Sequence, residues 1–256
     1  VKPVVKQRKI ETLALIVLIP WLALLLGGFA ACKQAPAAAP VQASAPPAVA
    51  PAQPSPAPAA GVDRQASGPV VVFLGDSLTA GLGLGEEQAY PARVGAKLAA
   101  QGRKIKVVNA GVSGDTTAGC LARLDWLLRQ HPDILVVGLG GNDGMRGLPL
   151  AETEKNLRDI IRRSQAAGVR VLLLGMQIPP NYGPDYVDGF KAMYPRIAKE
   201  MNVPLVPFLL EGVGGVANLN QDDGIHPTAE GQEKVADNVV PYLEKLLAEE
   251  TAKAAK

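Results

Sequence analysis

Histidine occurs twice in these 256 residues, cysteine twice, and Phe, Tyr and Trp together supply 4% of the chain. Two cysteines exclude a disulfide-stapled framework, so stability must come from an ordinary apolar core, which a chain of this length can build. No His, Cys and Asp cluster has metal-ligand spacing, so the sequence offers no basis for a metal centre. Charge of either sign is also scarce as a net quantity. The formal +2 comes from the first 31 residues, where Lys2, Lys6, Arg8 and Lys9 face one Glu11; the rest holds 22 basic and 23 acidic residues. A near-neutral chain with few aromatics and no basic patch excludes nucleic acid as a partner. The glycines of Gly81-Leu82-Gly83-Leu84-Gly85 lack the G-x-G-x-x-G spacing and no Gly-Lys-Ser/Thr follows, which excludes a phosphate-binding loop there.

What is present begins with an export pattern. A basic start precedes a 17-residue apolar stretch, 13–29, broken by Pro20 and ending in small residues. Phe29-Ala30-Ala31-Cys32 resembles a lipobox, with Phe29 where that pattern usually has Leu. The expectation is a signal peptide over 1–31, lipidation at Cys32, and an exported protein on the periplasmic side of a bacterial membrane, the outer membrane favoured. The alternative is an uncleaved anchor, since 17 apolar residues nearly span a bilayer. Residues 32–68 are an Ala/Pro-rich linker, expected to be disordered with polyproline character. At about 3.1 Å per residue its 35–60 portion extends roughly 80 Å. A folded domain is expected over 69–250 and a structureless tail over 251–256. With Cys32 carrying lipid, Cys120 is left as a lone thiol, set among Leu121, Leu124, Leu127 and Leu128 at helical spacing and read as core packing.

Within the domain, short runs rich in Val, Leu and Ile predict strands at 70–74, 105–109, 134–138, 171–174 and, more weakly, 205–208. Their lack of apolar/polar alternation suits strands covered on both faces, as in a parallel sheet. Helices are predicted over 91–101, 117–130, 150–167, 186–201 with an interruption at Pro195, and 228–249, the last with Val235, Val239, Leu243, Leu246 and Leu247 on one stripe. Such alternation makes an α/β fold whose ligand sites lie beyond the carboxyl ends of the strands. Ser77, Gly114, Asn142, Tyr182, Asp223 and His226 all fall in those loops.

Ser77 follows the first strand directly, and His226 lies three residues after Asp223 in a loop bounded by Gly224 and Pro227. A serine hydroxyl attacks an acyl carbon only when a base removes its proton, and an imidazole serves when a carboxylate orients it. Serine at a strand-to-helix turn also fills a helix N-cap, an equally common role. Asp222 competes with Asp223 as the orienting acid, and His131, in Gln130-His131-Pro132, reads as surface or core filler.

Gly75-Asp76-Ser77-Leu78, Asn109-Ala110-Gly111-Val112-Ser113-Gly114-Asp115-Thr116, Gly140-Gly141-Asn142-Asp143 and Asp223-Gly224-Ile225-His226-Pro227 resemble, in order, the four blocks of the GDSL or SGNH hydrolases. The likeness is to the bacterial thioesterase I/lysophospholipase and arylesterase branch and extends over residues 69–248. Met176-Gln177-Ile178 and Asn181-Tyr182-Gly183 resemble that branch as well. The resemblance implies a flavodoxin-like three-layer α/β/α sandwich on a parallel five-stranded sheet, with no cofactor. It implies Ser77 as nucleophile, His226 as base and Asp223 as its partner, leaving Asp222 solvated. It also implies an oxyanion hole from the Ser77 and Gly114 backbone N–H groups and the Asn142 amide. Asp76, Asp115 and Asp143 are expected to bond loop backbone. Tyr182, in a loop over 177–186, is a tentative substrate contact. The expected activity is hydrolysis of carboxylic esters (aryl esters, lysophospholipids, thioesters) through an acyl-enzyme. The runners-up are an envelope polysaccharide O-deacetylase and a catalytically silent envelope-binding module.

Overall fold

The computed structural model describes residues 68–254. The export segment, Cys32 and the linker up to residue 67 lie outside the described residues, as do 255 and 256. Five strands, β1 (Val70–Gly75), β2 (Lys106–Gly111), β3 (Ile134–Gly138), β4 (Arg170–Leu174) and β5 (Leu205–Val206), form one parallel sheet in the order β2-β1-β3-β4-β5. In β1, Val71, Val72, Phe73 and Leu74 are all fully buried. Consecutive residues point to opposite faces, so both faces of the sheet are covered.

The covering helices are α1 (Ser77–Ala80), α2 (Tyr90–Ala100), α3 (Thr117–Leu128), α4 (Gly141–Met145), α5 (Leu150–Ala166), α6 (Pro184–Met201) and α7 (Ala229–Ala254). Helix α2 packs against α7, and α5 packs against both α3 and α6. The predicted stripe on α7 is buried from Val235 to Leu247. Each such aliphatic side chain contributes about 1.5–3 kcal/mol on leaving water. The domain is the expected α/β sandwich.

Three features depart most from the sequence reading. Helix α6 runs through Pro195 without interruption. Proline removes the bond to the carbonyl four residues back, yet Pro195 and Lys191 both lie on the exposed face, where solvent can reach that carbonyl. Phe190, Met193, Tyr194 and Ile197 bury the opposite face and hold the helix together. Strand β5 stops at Val206 because Pro207 has no N–H for the ladder, and the chain bends so that Leu209 N–H donates to the Gly175 carbonyl at 2.8 Å. Helix α7 continues to Ala254, so residues 251–254 are helical where a structureless tail was expected; no Gly or Pro interrupts this Ala- and Lys-containing end.

Candidate active site

The strand order reverses between β1 and β3, and the loops leaving their carboxyl ends diverge to open a crevice. Ser77 enters it from β1 and Asn142 from β3. Asp76 caps α1, its Oδ1 accepting from Leu78 N–H at 3.0 Å. The N-cap position is therefore filled by Asp76, and Ser77 is the first helical residue, with a backbone N–H that has no intrahelical acceptor. The Ser77 hydroxyl turns outward to His226, Oγ to Nε2 2.8 Å.

Asp223 and His226 share one short loop that closes on itself. Asn220 and Pro227 pair as an antiparallel bridge, Gln221 N–H donates to the His226 carbonyl at 2.7 Å, and Thr228 N–H to that of Leu219 at 2.9 Å. Inside it, Asp223 Oδ1 accepts from the Ile225 and His226 backbone N–H groups, both at 2.9 Å, while Oδ2 meets His226 Nδ1 at 2.6 Å. The His226 backbone N–H, then the imidazole, then the Ile225 N–H hold the Asp223 carboxyl at about 2. It is therefore ionised at neutral pH and can only accept. An ionised Asp223 selects the tautomer with its proton on Nδ1, which turns Nε2 toward the Ser77 hydroxyl.

Asn142 lies in α4, which is anchored through its neighbour. The buried Asp143 carboxylate accepts from Thr117 N–H at 3.0 Å and Thr117 Oγ1 at 2.5 Å. Asn142 Nδ2 donates to the Asp115 carbonyl at 2.9 Å and lies 3.4 Å from Asp76 Oδ2. One amide hydrogen is thus fixed and the other only loosely engaged. Gly114, beside Asp115, has φ +79, a left-handed conformation that a side chain would strain. Arg146 Nη2 donates to the Gly114 carbonyl at 2.9 Å, and Arg123 Nε to Asp115 Oδ2, also at 2.9 Å. Asp76 is nearly fully buried, and desolvation raises its carboxyl to about 6 against the opposing pull of the Leu78 N–H and His226.

The model of the GDSL-like lipase/acylhydrolase family matches residues 73–234, which contain every residue of this constellation. The chain belongs to that family. Among relatives of this acylhydrolase, Esterase TesA of Pseudomonas aeruginosa is 46% identical over 185 residues, covering 72% of this chain and 92% of that protein. Thioesterase 1/protease 1/lysophospholipase L1 of Escherichia coli is 43% identical over 185 residues, 72% and 88% of the two chains. The crystal structure of TesA superposes with a TM-score of 0.67 at 46% identity, covering 69% of this chain and 99% of that one.

In this acylhydrolase a cavity of about 440 Å³ opens beside Ser77 and Asn142. Its walls include Met145, Met176, Ile178, Phe208, Leu210 and Ile225. The loop singled out for substrate contact supplies Gln177 to Pro180, but Tyr182 is not among the lining residues. Tyr182 instead donates its hydroxyl to the Met145 carbonyl at 2.8 Å and packs on Tyr186, bracing the wall from behind. Phe208 and Leu210 escaped the sequence reading because Phe208 was assigned to a strand; the signal was Pro207, which ends the ladder. The link from Asp76 to Asn142 joins residues 66 positions apart and left no pattern in the sequence. Cys120 is buried with its Sγ 3.1 Å from Asp115 Oδ2; burial, then that carboxylate, push its thiol up, and it stays protonated and inert.

Proposed function

We propose that this domain is a serine esterase that cleaves carboxylic esters of medium or long acyl chains through an acyl-enzyme on Ser77. The observation that carries the proposal is the row Ser77 Oγ–His226 Nε2–Nδ1–Asp223 Oδ2, with 2.8 and 2.6 Å links. Ser77 Oγ bonds to the acyl carbon while its proton passes to His226 Nε2. The ester carbonyl becomes an oxyanion, received by the Ser77 and Gly114 backbone N–H groups and by the Asn142 hydrogen that faces Asp76 only loosely. His226 returns the proton to the leaving alcohol as its bond to the acyl carbon breaks. Water then attacks the acyl-enzyme, giving its proton to His226, and His226 reprotonates Ser77 as the acid departs.

The wall of Met, Ile, Phe and Leu side chains supports an acyl chain longer than acetyl, which favours lipid and aryl esters over polysaccharide acetate. The names of the relatives, an esterase and a thioesterase/lysophospholipase, point the same way. Under the same reading, residues 1–31 direct export, Cys32 is lipidated, and the linker holds the domain off a membrane surface. Membrane association retained in Cys32→Ser would remove the lipid anchor from this account.

A fluorophosphonate probe and a p-nitrophenyl ester series from C2 to C16 test the proposal together. The wild type is expected to be labelled and Ser77→Ala spared, with turnover highest at C6 or longer. An unlabelled wild type would favour the silent binding module, and a sharp optimum at C2 the deacetylase.

A further inference from the structure

We propose that Arg146 is the specificity residue for the alcohol half of the substrate, binding a phosphate carried one glycerol length from the scissile ester. This rests on the esterase reading above.

With the acyl chain against Met176, Ile178 and Leu210, the alcohol half would lie toward α4, whose Asn142 and Met145 line the cavity and whose Asn142 amide bonds the Asp115 carbonyl next to Gly114. Space there is open apart from one group: a side chain built at position 114 would meet only Arg146 Nη2 within 4 Å, at 3.8 Å. Arg146 is exposed, directly follows the cavity residue Met145 and reaches the Gly114 carbonyl with its guanidinium.

That guanidinium is held but not neutralised. One N–H donates to the Gly114 carbonyl, and its backbone N–H closes α4 onto the Asn142 and Gly144 carbonyls. The adjoining loop is pinned by Tyr182 on the Met145 carbonyl and Tyr186 on that of Leu148, at 2.8 and 2.7 Å. Arg93, Arg123, Arg158, Arg162, Arg163 and Arg196 each meet a carboxylate. Arg146 meets none among the described residues. A planar fork with free donors, fixed beside the group that would receive the oxyanion, suits a phosphate oxygen pair. Its closeness to Gly114 requires the anion to lie near the ester. Glycerophosphate satisfies this, whereas the pantetheine arm of an acyl-CoA carries its phosphates much farther away.

The test compares kcat/KM for octanoyl-lysophosphatidylglycerol, neutral 1-octanoylglycerol and octanoyl-CoA, each below its micellar concentration, in wild type, Arg146→Lys and Arg146→Gln. The ratio of the lysophospholipid to the neutral ester is the readout, because any loss through the Gly114 contact affects both and cancels. Arg146→Gln should lower that ratio about fivefold, the upper end for an exposed ion pair. Lys should restore part of it, and the wild-type ratio alone should shrink as salt is raised. A ratio unchanged in Arg146→Gln would reduce Arg146 to a strut for Gly114 and overturn the proposal. A drop confined to octanoyl-CoA would overturn the glycerophosphate assignment. Wild-type protein that turns over none of the three esters would bring down the esterase reading and this proposal together.

Discussion

Two adjacent carboxylates, Asp222 and Asp223, separate cleanly at the level of the single side chain. Asp223 spends both oxygens on the loop and the imidazole, whereas Asp222 is exposed in the turn. Asp223→Asn puts an amide against Nδ1–H, or forces the other tautomer, and should lower kcat by at least about 100-fold with a small change in KM. Asp222→Asn should stay within about twofold, as surface changes do. Steady-state kinetics on one p-nitrophenyl ester settle both. Asn142→Ala should cost kcat about 100- to 1,000-fold, the usual loss for one oxyanion donor; a loss confined to KM would contradict the role given to its amide.

Asp76 offers a prediction of opposite sign to ordinary carboxylates. Burial raises it from 3.8 to about 6, so the folded protein binds this proton more tightly than an unfolded chain does. The benefit is full below pH 3.8 and is lost as the pH rises through 6, a change on the order of 3 kcal/mol. The Tm of wild type relative to Asp76→Asn should therefore fall between pH 4 and 7. A constant difference across that range would mean that Asp76 is ionised throughout.

At the level of the element, the approach of β2 to α1 explains a glycine that the sequence reading treated only as part of a motif. A Cβ on Gly111 would lie 2.3 Å from Ala80 N and 2.7 Å from Thr79 C, both backbone atoms of the helix that begins with Ser77. Gly111→Ala should destabilise by about 1–3 kcal/mol, which for a domain of this size is roughly 3–10 °C in Tm. Activity should fall with it as α1 shifts, and thermal melts beside kinetics report both.

Elements of this kind also mark where sequence patterns stop informing. The strands and long helices were legible because apolar periodicity is local: Val71 to Leu74 have no polar alternation, and Val235 to Leu247 repeat at helical spacing. Helices α1 and α4 are too short for any period to show. Pro195 misled because its effect depends on which face it occupies, a property of the folded helix. The four motifs marked Ser77, Gly114, Asn142 and the Asp223–His226 loop. The cavity wall, assembled from α4, the 176–180 loop and the segment after β5, is a sum of long-range packing and carried no spacing of its own.

At the level of the molecule, the buried core and the crevice lie, among the described residues, between residues 71 and 247. A chain beginning at Gly68 should unfold in one cooperative step, with kcat on a soluble ester within about twofold of the full chain. Loss of folding on that truncation would show that the preceding residues belong to the domain after all.

The self-closed turn that holds Asp223 and His226 has a consequence for redesign. Acid and imidazole travel as one cassette, tuned within itself, while the wall formed by Phe208 and Leu210 comes from the stretch just before it. Under the proposed mechanism, recasting that stretch should alter which acyl chains are admitted without retuning the proton relay, provided the cassette still docks within reach of Ser77. Under that mechanism, the part of chain-length preference set by Phe208 and Leu210 is therefore separable from chemical competence, whereas the part set by Ile225, inside the cassette, is not.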